Sequence, residues 1–494
     1  MSDAESLGEV LAYYGRWLEY NQRYLRIPGV QVAVFAEGSV VFSAAHGSAD
    51  LENDVPLTEG HLFRIASQSK TFTATAVLRL CEQGRLRLDD EAEQYVPELA
   101  GVPLGGRTVR ELLSHSAGIT RDGTDADWWQ LAEAFPDRER LLALLREPEA
   151  AVIDENERFK YTNVGYGLLG LVIERATGTP YNEHVRTEIV EKLGLTNLGP
   201  ELDPARSAEY AVGYSGLAYA DHRVPIDQTD TRALAPATGF YGNARDLVTY
   251  FSAHLPGDGR LLTDRSKREM QHPVWQIGAG EWPKYGLGLQ VAKVGERQVF
   301  GHGGGYPGHI SRTLVDPEAG IAVAALTNAI DAPASQLVEG FYKLHDLAQS
   351  KERPEQTAGL GRFTGRFASL WGVGDVVELG GRLYGINPAG ADPAAEVIRL
   401  EPIGDTLKVV DGPGLGAYGE SYRYNFRPDG TVESVRTAGG LLSRPIEHFT
   451  LPQRVRAEAP TDPVRSAPSR APDGARPGHL RRPSGSGRVV GRGR

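Results

Sequence analysis

Sulfur-containing residues are scarce in this sequence, whose 494 residues include one cysteine and two methionines. A lone cysteine cannot form an intramolecular disulfide, so nothing in the sequence requires an oxidising compartment. Long apolar segments are also missing, because no run of about 18 apolar residues occurs that could span a membrane. The N-terminal segment contains neither the basic nor the apolar stretch of a signal peptide. We therefore expect a soluble, cytoplasmic protein without a membrane partner.

Acidic residues outnumber basic ones outside the C-terminal end of the chain. The formal net charge is −11, but residues 451–494 hold ten arginines against three acidic residues, so the remainder carries −18. An acidic body disfavours nucleic acid as the main partner. We expect the partner to be a small-molecule or peptide substrate. No pattern in the sequence specifies an oligomeric state.

Strand patterns occur at both ends of residues 1–350, and helical patterns fill the middle. Alternating apolar residues predict strands at residues 30–35 and 40–44, joined by a hairpin turn at Glu37-Gly38. Further elements are predicted toward the C-terminal end of this region. They are strands at residues 285–291, 298–301, 309–315 and 321–327 and a helix at residues 333–348. Another helix is predicted at the start of the chain, over residues 5–26. The simplest packing is an α/β (α+β) fold, in which helices flank one antiparallel sheet beside an all-helical lobe.

The composition of the chain changes three times after residue 350. Residues 351–358 have the composition of a linker between domains. Residues 359–450 contain short strands separated by glycine, proline and aspartate, which predicts a small all-β barrel domain. Residues 451–494 are rich in arginine and proline without periodicity, which predicts a disordered tail. We thus expect one domain over residues 1–350 and a second over residues 359–450.

Ser67 and Lys70 are distinctive because Lys70 is the only charged residue from Ser67 to Leu78. A helix with so little charge usually lies inside a protein, and lysine is rarely buried without a partner. The two residues are one helical turn apart and project from the same face. A desolvated lysine loses its proton more readily and can then act as the base for a neighbouring hydroxyl. The alternative is an ordinary core helix whose lysine extends to solvent.

Two later motifs supply other groups that acyl transfer requires. Tyr161-Thr162-Asn163 precedes a predicted helix and offers a phenol for proton transfer and an amide that can orient other groups. Residues 301–308 follow a predicted strand and include five glycines, which let a substrate approach closely and whose N–H groups can stabilise an oxyanion. Taken singly, a half-buried tyrosine, a helix cap and a flexible turn explain these motifs as well.

The motifs together resemble those of penicillin-recognising serine hydrolases, in the same order along the chain. They are Ser67-x-x-Lys70, Tyr161-x-Asn163 and His302-Gly303-Gly304. A tyrosine in the second motif resembles the branch that contains class C β-lactamases, DD-peptidases and family VIII esterases. Residues 112–118 resemble the Leu-Leu-x-His-x-Ser-Gly segment of that branch, with Ala117 in place of the usual serine. The resemblance covers roughly residues 10–350, and residues 359–450 resemble a lipocalin-like domain of some relatives.

The resemblance implies a role for each matched residue. Ser67 would be the acylated nucleophile, and Lys70 and Tyr161 would share the base and acid roles. The backbone N–H groups of Ser67 and Gly305 would form the oxyanion hole. The substrate-binding residues would be Asn163, His302, Gly303 and Gly304.

Two of these residues depart from the β-lactamase pattern. His302 stands where β-lactamases carry lysine, and Gly303 replaces a residue with a hydroxyl group. A mostly neutral imidazole binds a carboxylate less strongly than an ammonium group does, so weak β-lactamase activity is expected. An unperturbed histidine titrates near pH 6.5, so a His302 that contacts substrate would change kcat/KM at about that pH.

Three hypotheses of function follow. The leading one is a serine hydrolase that forms a Ser67 acyl-enzyme with an ester or an amide, including peptides that contain D-residues. The second is an acyltransferase or peptide cyclase in which an amine attacks the acyl-enzyme, and the third is a catalytically silent binding protein. No cofactor is expected, and no metal site, since His115, His302 and His309 have no recognisable ligand spacing.

Overall fold

The structure is a computed structural model, which describes residues 3–349, 359–413 and 417–451. The predicted linker, residues 351–358, lies outside these ranges, and so does the predicted tail apart from Leu451. Every helix and strand named below belongs to one unit that ends at Phe449. Its α-helices are α1 (Asp3–Tyr24), α2 (Ser69–Glu82), α3 (Val109–Leu113), α4 (Arg138–Arg146), α5 (Val164–Thr177), α6 (Tyr181–Val185), α7 (Ala235–Thr238), α8 (Ala244–Ser252), α9 (Asp264–Gln271) and α10 (Ala334–Ala348). Among the described residues, none of the helices combines the length and the apolar character that crossing a bilayer requires.

Strands occupy two separate parts of the described chain. Those before α10 are β1 (Gly29–Ala36), β2 (Ser39–Asp50), β3 (Val55–Pro56), β4 (Phe63–Arg64), β5 (Leu198–Gly199), β6 (Gly213–Tyr214), β7 (Pro225–Ile226), β8 (Tyr241–Gly242), β9 (Trp275–Gln276), β10 (Lys284–Tyr285), β11 (Gln290–Val294), β12 (Arg297–Tyr306), β13 (His309–Asp316) and β14 (Ile321–Thr327). Those after α10 are β15 (Gly365–Ser369), β16 (Gly372–Leu379), β17 (Arg382–Ile386), β18 (Ile398–Ile403), β19 (Thr406–Asp411), β20 (Ser421–Phe426), β21 (Val432–Arg436) and β22 (Leu442–Pro445).

The main sheet contains nine strands in the order β3-β2-β1-β14-β13-β12-β11-β10-β9. β1 and β14 are antiparallel neighbours that pair Val30 with Thr327. The N-terminal hairpin therefore completes a sheet whose other large strands come from residues 275–327, which confirms the predicted architecture. The turn between β1 and β2 lies at Glu37-Gly38, as predicted, and both residues have positive φ angles, 52° and 79°.

The strand predicted at residues 285–291 is interrupted in the structure. β10 ends at Tyr285 and β11 begins at Gln290, and the two short strands pair with each other. Gly288, in the turn between them, has a φ of +73°, and a Cβ atom there would lie 2.4 Å from the Cβ atom of Ala74 in α2. The prediction of one strand was therefore wrong, because close packing of this turn against α2 is a tertiary contact that strand patterns do not reveal.

The two faces of the main sheet pack against different helices. Alternate residues of a strand point to opposite faces. Accordingly, Ala322 and Ala324 of β14 belong to the core that contains α2 and α8, whereas Val323 and Ala325 belong to the core that contains α1 and α10. The predicted helical lobe lies on the α2 side, and it also contains a small sheet of β4, β8 and β5.

The strands after α10 form a closed antiparallel barrel in the order β15 to β22, as predicted. Buried side chains such as Phe367, Leu407 and Val435 fill its interior. The barrel packs on the α1 and α10 side of the main sheet, since Val377 and Leu379 of β16 belong to the core of those two helices. It is thus anchored to the face of the sheet opposite α2.

Candidate active site

Ser67 lies in a tight turn that leads into α2. The turn, Ala66–Gln68, is a single turn of 3-10 helix. Ala66 has a φ of +52°, a left-handed conformation that is uncommon for a residue with a side chain and that occurs preferentially at functional sites. The Ser69 hydroxyl stabilises this geometry, since it donates a hydrogen bond to the Ala66 carbonyl at 2.6 Å and accepts one from the Phe240 N–H at 3.0 Å. Ser67 itself remains half-buried and accessible.

The turn is also tied to the main sheet. Gln68 Nε2 donates to Ser311 Oγ at 2.8 Å, and that hydroxyl donates to the Ile65 carbonyl at 2.9 Å. On the neighbouring strand β12, a Cβ atom at Gly304 would lie only 2.0 Å from the same Ile65 oxygen. Glycine at position 304 therefore allows β12 to approach the turn that carries the candidate nucleophile.

Lys70 is fully buried one helical turn after Ser67. Three oxygen atoms surround its Nζ atom. They are Asn163 Oδ1 at 2.7 Å, the Ala237 carbonyl oxygen at 2.9 Å and Ser67 Oγ at 3.3 Å. Two predicted motifs, the Ser-x-x-Lys turn and the Tyr-x-Asn segment, thus meet at this nitrogen.

The chemistry of these three oxygens fits a neutral amine. Burial lowers the pKa of Lys70 well below its ordinary value, the charge of Asp122 opposes this shift and the charge of Arg121 adds to it. A neutral lysine has two N–H donors and one lone pair. The two shorter contacts are to carbonyl oxygens, which only accept, so they use both N–H groups. The lone pair is then left for the Ser67 hydroxyl, and Lys70 is suited to take its proton.

Tyr161 lies beside both Ser67 and Lys70. The Lys70 Nζ atom is 4.7 Å from the centre of the Tyr161 ring. Burial raises the pKa of the phenol, while its interaction with the Ser67 side chain lowers it, and the net shift is upward. Tyr161 is therefore a neutral phenol near pH 7, a proton donor and not a phenolate base. The His115 ring supports it with 4.2 Å between ring centres, and His115 Nδ1 accepts a hydrogen bond from the Thr162 N–H at 3.1 Å.

Asn163 connects Lys70 to two residues that the sequence motifs do not include. Its Nδ2 atom donates to Asp122 Oδ1 at 2.9 Å, and the other Asp122 oxygen pairs with Arg121 Nε at 3.2 Å. The Arg121 guanidinium carbon lies 5.5 Å from the centre of the Tyr161 ring. Sequence patterns carry no signal for this pair, because Asp122 lies 41 residues before Asn163 and meets it only through the tertiary fold.

The glycine run of β12, residues 303–305, presents accessible backbone to the same site. β11 pairs with β12 only as far as Gly301, whereas β13 pairs with it through Tyr306. Within the described structure, the end of β12 therefore has a strand neighbour on one side only. Residues 303 and 304 are half-buried and Gly305 is exposed. A substrate can reach this backbone, as an oxyanion hole that includes the Gly305 N–H would require.

His302 lies on the same strand but is buried, with 1% of its surface exposed. Its Nδ1 donates to the Gly303 carbonyl at 2.5 Å, so Nε2, which is 3.1 Å from the Tyr285 hydroxyl, accepts a hydrogen bond from that group. Burial is the main cause that lowers the pKa of His302 to about 3. We therefore do not expect His302 to change kcat/KM near pH 6.5, because its lowered pKa keeps it neutral and both ring nitrogens form hydrogen bonds.

Metal ligands do not assemble around this site. In residues 3–349, 359–413 and 417–451, no three histidine, cysteine or acidic side chains lie close enough together to hold an ion. His115 and His309 are each buried, and burial is the main cause that lowers the pKa of both, that of His309 to about 3.

Comparison with known proteins assigns this arrangement to a family. The sequence profile of the family described as Beta-lactamase matches residues 19–344. The chain belongs to the β-lactamase family. The matched region includes the main sheet, the helical lobe and all three motifs, whereas the barrel lies outside it.

Several known proteins are similar to this chain in sequence or in fold. Penicillin-binding protein 4* of Bacillus subtilis is 28% identical over 287 residues, which are 55% of this chain and 62% of that protein, so the chain spans less than two thirds of its length. The octameric penicillin-binding protein homologue from Pyrococcus abyssi has the same fold, with a TM-score of 0.62 and 24% identity over 88% of this chain and 99% of that one. A D-stereospecific amidohydrolase from a Streptomyces species has a TM-score of 0.57 and 27% identity, over 66% of this chain and 97% of its own.

Proposed function

We propose that this chain is a serine hydrolase that cleaves an amide or ester bond through an acyl-enzyme on Ser67. The observation that carries the proposal is the buried Lys70, whose Nζ atom lies 3.3 Å from Ser67 Oγ. We further propose amides or peptides of D-amino acids as the substrate class. The 27% identity with the D-stereospecific amidohydrolase supports that choice.

In the proposed acylation step, Ser67 Oγ attacks the carbonyl carbon of the substrate while neutral Lys70 takes the hydroxyl proton. The N–H groups of Ser67 and Gly305 stabilise the negative oxygen of the tetrahedral intermediate. Tyr161 then donates its phenolic proton to the leaving amine or alcohol and recovers a proton from Lys70. The leaving group departs neutral, and the acyl group remains as an ester on Ser67.

In the proposed deacylation step, water attacks this ester and gives up a proton to Lys70. Collapse of the second intermediate releases the carboxylic acid and returns a proton to Ser67. Asn163, which binds both Lys70 and Asp122, keeps the lysine in place through both steps. The neutral His302 supplies no cation for the carboxylate of a β-lactam, and Gly303 supplies no hydroxyl group to bind it. We therefore expect β-lactam turnover to be weak.

A covalent probe tests the acyl-enzyme directly. Intact-mass measurement after incubation with a fluorophosphonate is expected to show one adduct on the wild-type protein and none on Ser67→Ala. Ser207→Ala is the matched control, since Ser207 is exposed and lies outside the site. An adduct of equal yield on Ser67→Ala would contradict the proposed nucleophile.

The substrate class is tested with D- and L-phenylalanine amide. We expect faster release of ammonia from the D-enantiomer, and loss of that activity in Ser67→Ala. Equal rates for the two enantiomers would contradict the D-specific part of the proposal while leaving the acyl-enzyme intact. Product analysis with an added amine shows whether water or the amine resolves the intermediate.

A further inference from the structure

We propose that Arg121 binds an anionic group of the substrate and thereby favours acyl groups that end in a carboxylate over neutral ones, such as a D-residue with an acidic side chain over D-phenylalanine. This inference rests on the proposed Ser67 acyl-enzyme and extends it by naming a property of the acyl group. Arg121 belongs to the loop between α3 and α4, outside the three motifs. The proposal rests on the position of Arg121 beside Tyr161 and on the guanidinium N–H groups that form no hydrogen bond among the described residues.

The backbone of Arg121 is held next to the second motif. Its carbonyl oxygen accepts hydrogen bonds from the N–H groups of Asn163 at 2.8 Å and Val164 at 3.3 Å. These are donors at the start of α5 that lack partners within the helix. The loop is thus attached to the segment that contributes Tyr161 and Asn163, and the Arg121 side chain starts beside that segment.

The Arg121 guanidinium is exposed beside the Tyr161 ring, with 68% of the side-chain surface accessible. Its Nε faces Asp122 Oδ2 at 3.2 Å, and the other Asp122 oxygen is taken by Asn163. Among the described residues, no hydrogen bond engages the two terminal nitrogens of Arg121. A guanidinium binds a carboxylate through two parallel N–H groups, and Arg121 keeps such a pair free.

The other nitrogen bases around Ser67 are unsuited to bind an anion. Lys70 is fully buried, and its pKa is lowered. His115 and His302 are buried as well, and their lowered pKa values keep them neutral near pH 7. The charge of Arg121 contributes to the lowered pKa values of Lys70 and His115, so its field reaches the reacting groups.

Tyr161 sets the length of the acyl group that can reach Arg121. The side chain of Tyr161 interacts with Ser67, and its ring lies beside the guanidinium. An acyl chain that starts on Ser67 therefore has to extend past one tyrosine ring. A glutaryl group, in which a short methylene chain separates the carboxylate from the ester carbonyl, is therefore the probe we choose.

Two esters with the same leaving group test the inference. Mono-4-nitrophenyl glutarate and 4-nitrophenyl valerate have acyl chains of equal length and differ in the terminal carboxylate. In Arg121→Gln, kcat/KM for the glutarate is expected to fall about tenfold more than kcat/KM for the valerate, mainly through KM. Arg121→Lys keeps the charge but lacks the paired N–H donors of a guanidinium. Its kcat/KM for the glutarate is expected to fall about threefold relative to that for the valerate. Arg245→Gln, which removes the charge of an exposed arginine of α8, is expected to leave the ratio unchanged.

Each remaining outcome is decisive. If both esters lose activity equally in Arg121→Gln, the residue only positions Asp122 and the inference is overturned. If neither ester loses activity in Arg121→Gln, the inference is overturned too. Ser67-dependent turnover of both esters in the wild-type protein would show that the proposed function survives such a result. Turnover that persists in Ser67→Ala would overturn the proposed function and this inference with it.

Discussion

The two faces of the main sheet bury different kinds of residue. On the α2 and α8 face, Lys70, His115, His254 and His302 are all buried, and burial is the largest cause of their lowered pKa values. On the α1 and α10 face, the buried carboxylates Asp316 and Asp375 pair with arginines, and the apolar core continues into the barrel. Burying ionisable groups without full charge partners costs stability. The first face thus has the properties of a reaction site, and the second those of a scaffold.

The first face is best probed at Lys70, where we expect the largest effect. Without the base, Ser67 keeps its proton, and kcat for a 4-nitrophenyl ester is expected to fall about 10³-fold or more in Lys70→Ala. In the wild-type protein, kcat/KM is expected to rise with pH as Lys70 loses its proton. Because the pKa of Lys70 is lowered, this rise should be complete well below the ordinary lysine range.

Lys267 offers a matched control on the same side of the molecule. It is also buried, but its Nζ binds the Leu255 carbonyl at 2.7 Å and Asp264 Oδ1 at 2.9 Å, and its hydrogen-bond partners in the described part of the chain include no serine. Lys267→Ala is expected to lower the melting temperature while kcat stays within about threefold of wild type. Equal losses of kcat in the two variants would mean that burial of a lysine, and not its position beside Ser67, supports activity.

The comparison between faces also separates what sequence reasoning could find from what it could not. Lys70 was predictable because a lone charge in an apolar helix is visible in the sequence. The hairpin at Glu37-Gly38 was predictable because turn residues interrupt two alternating strands. Asp122 and the break at Gly288 were not, since each depends on a contact between distant segments. Local sequence patterns therefore predicted the secondary structure and the motif residues. The residues that orient those motifs could be identified only from the folded structure.

His302 illustrates a second limit of the sequence. Its position in the third motif was visible, but its ionisation was not, because burial lowers its pKa to about 3. A sequence alone supplies the ordinary pKa of a histidine and not its environment. The same argument applies to the other buried histidines on this face.

Acid stability tests the first face away from Ser67. Burial lowers the pKa of His254 from 6.5 to about 4. A group with a lowered folded-state pKa contributes stability above its unfolded-state pKa and loses it as the pH falls toward the folded-state value. Between pH 7 and pH 5, the lowered pKa of His254 should therefore reduce the free energy of unfolding by about 2 kcal/mol.

The corresponding variant is His254→Gln, which can retain a hydrogen bond to Thr75, whose Oγ1 lies 2.9 Å from His254 Nε2. Urea unfolding at pH 7 and pH 5 should show a smaller pH dependence in this variant than in the wild-type protein. His448→Gln is the control, because His448 lies outside both cores of the main sheet and is exposed in the barrel. If His254→Gln has the same pH dependence as the wild-type protein and His448→Gln, burial of His254 does not govern acid stability.

The second face is expected to show the smallest effect, in stability alone. Tyr13 of α1 is buried and donates a hydrogen bond to Asp375 of the barrel at 3.0 Å. Arg366 also binds both oxygens of that carboxylate, at 2.8 and 2.9 Å, so Asp375 keeps partners when the tyrosine hydroxyl is removed. Tyr13→Phe is therefore expected to cost about 1.5 kcal/mol of unfolding free energy, the low end for a hydrogen bond to a charged group.

Activity decides whether this contact belongs to a scaffold. If the α1 and α10 face only supports the sheet, Tyr13→Phe leaves kcat/KM for a 4-nitrophenyl ester unchanged although urea unfolding detects the lost hydrogen bond. Tyr24→Phe controls for the substitution, because Tyr24 lies on the same helix but is 57% exposed, and its hydroxyl contributes little to stability. A fall in kcat/KM for Tyr13→Phe but not for Tyr24→Phe would break the division between the faces. It would mean that the barrel influences Ser67 through α1 and β1, since β1 lies between that helix and the α8 side of the sheet.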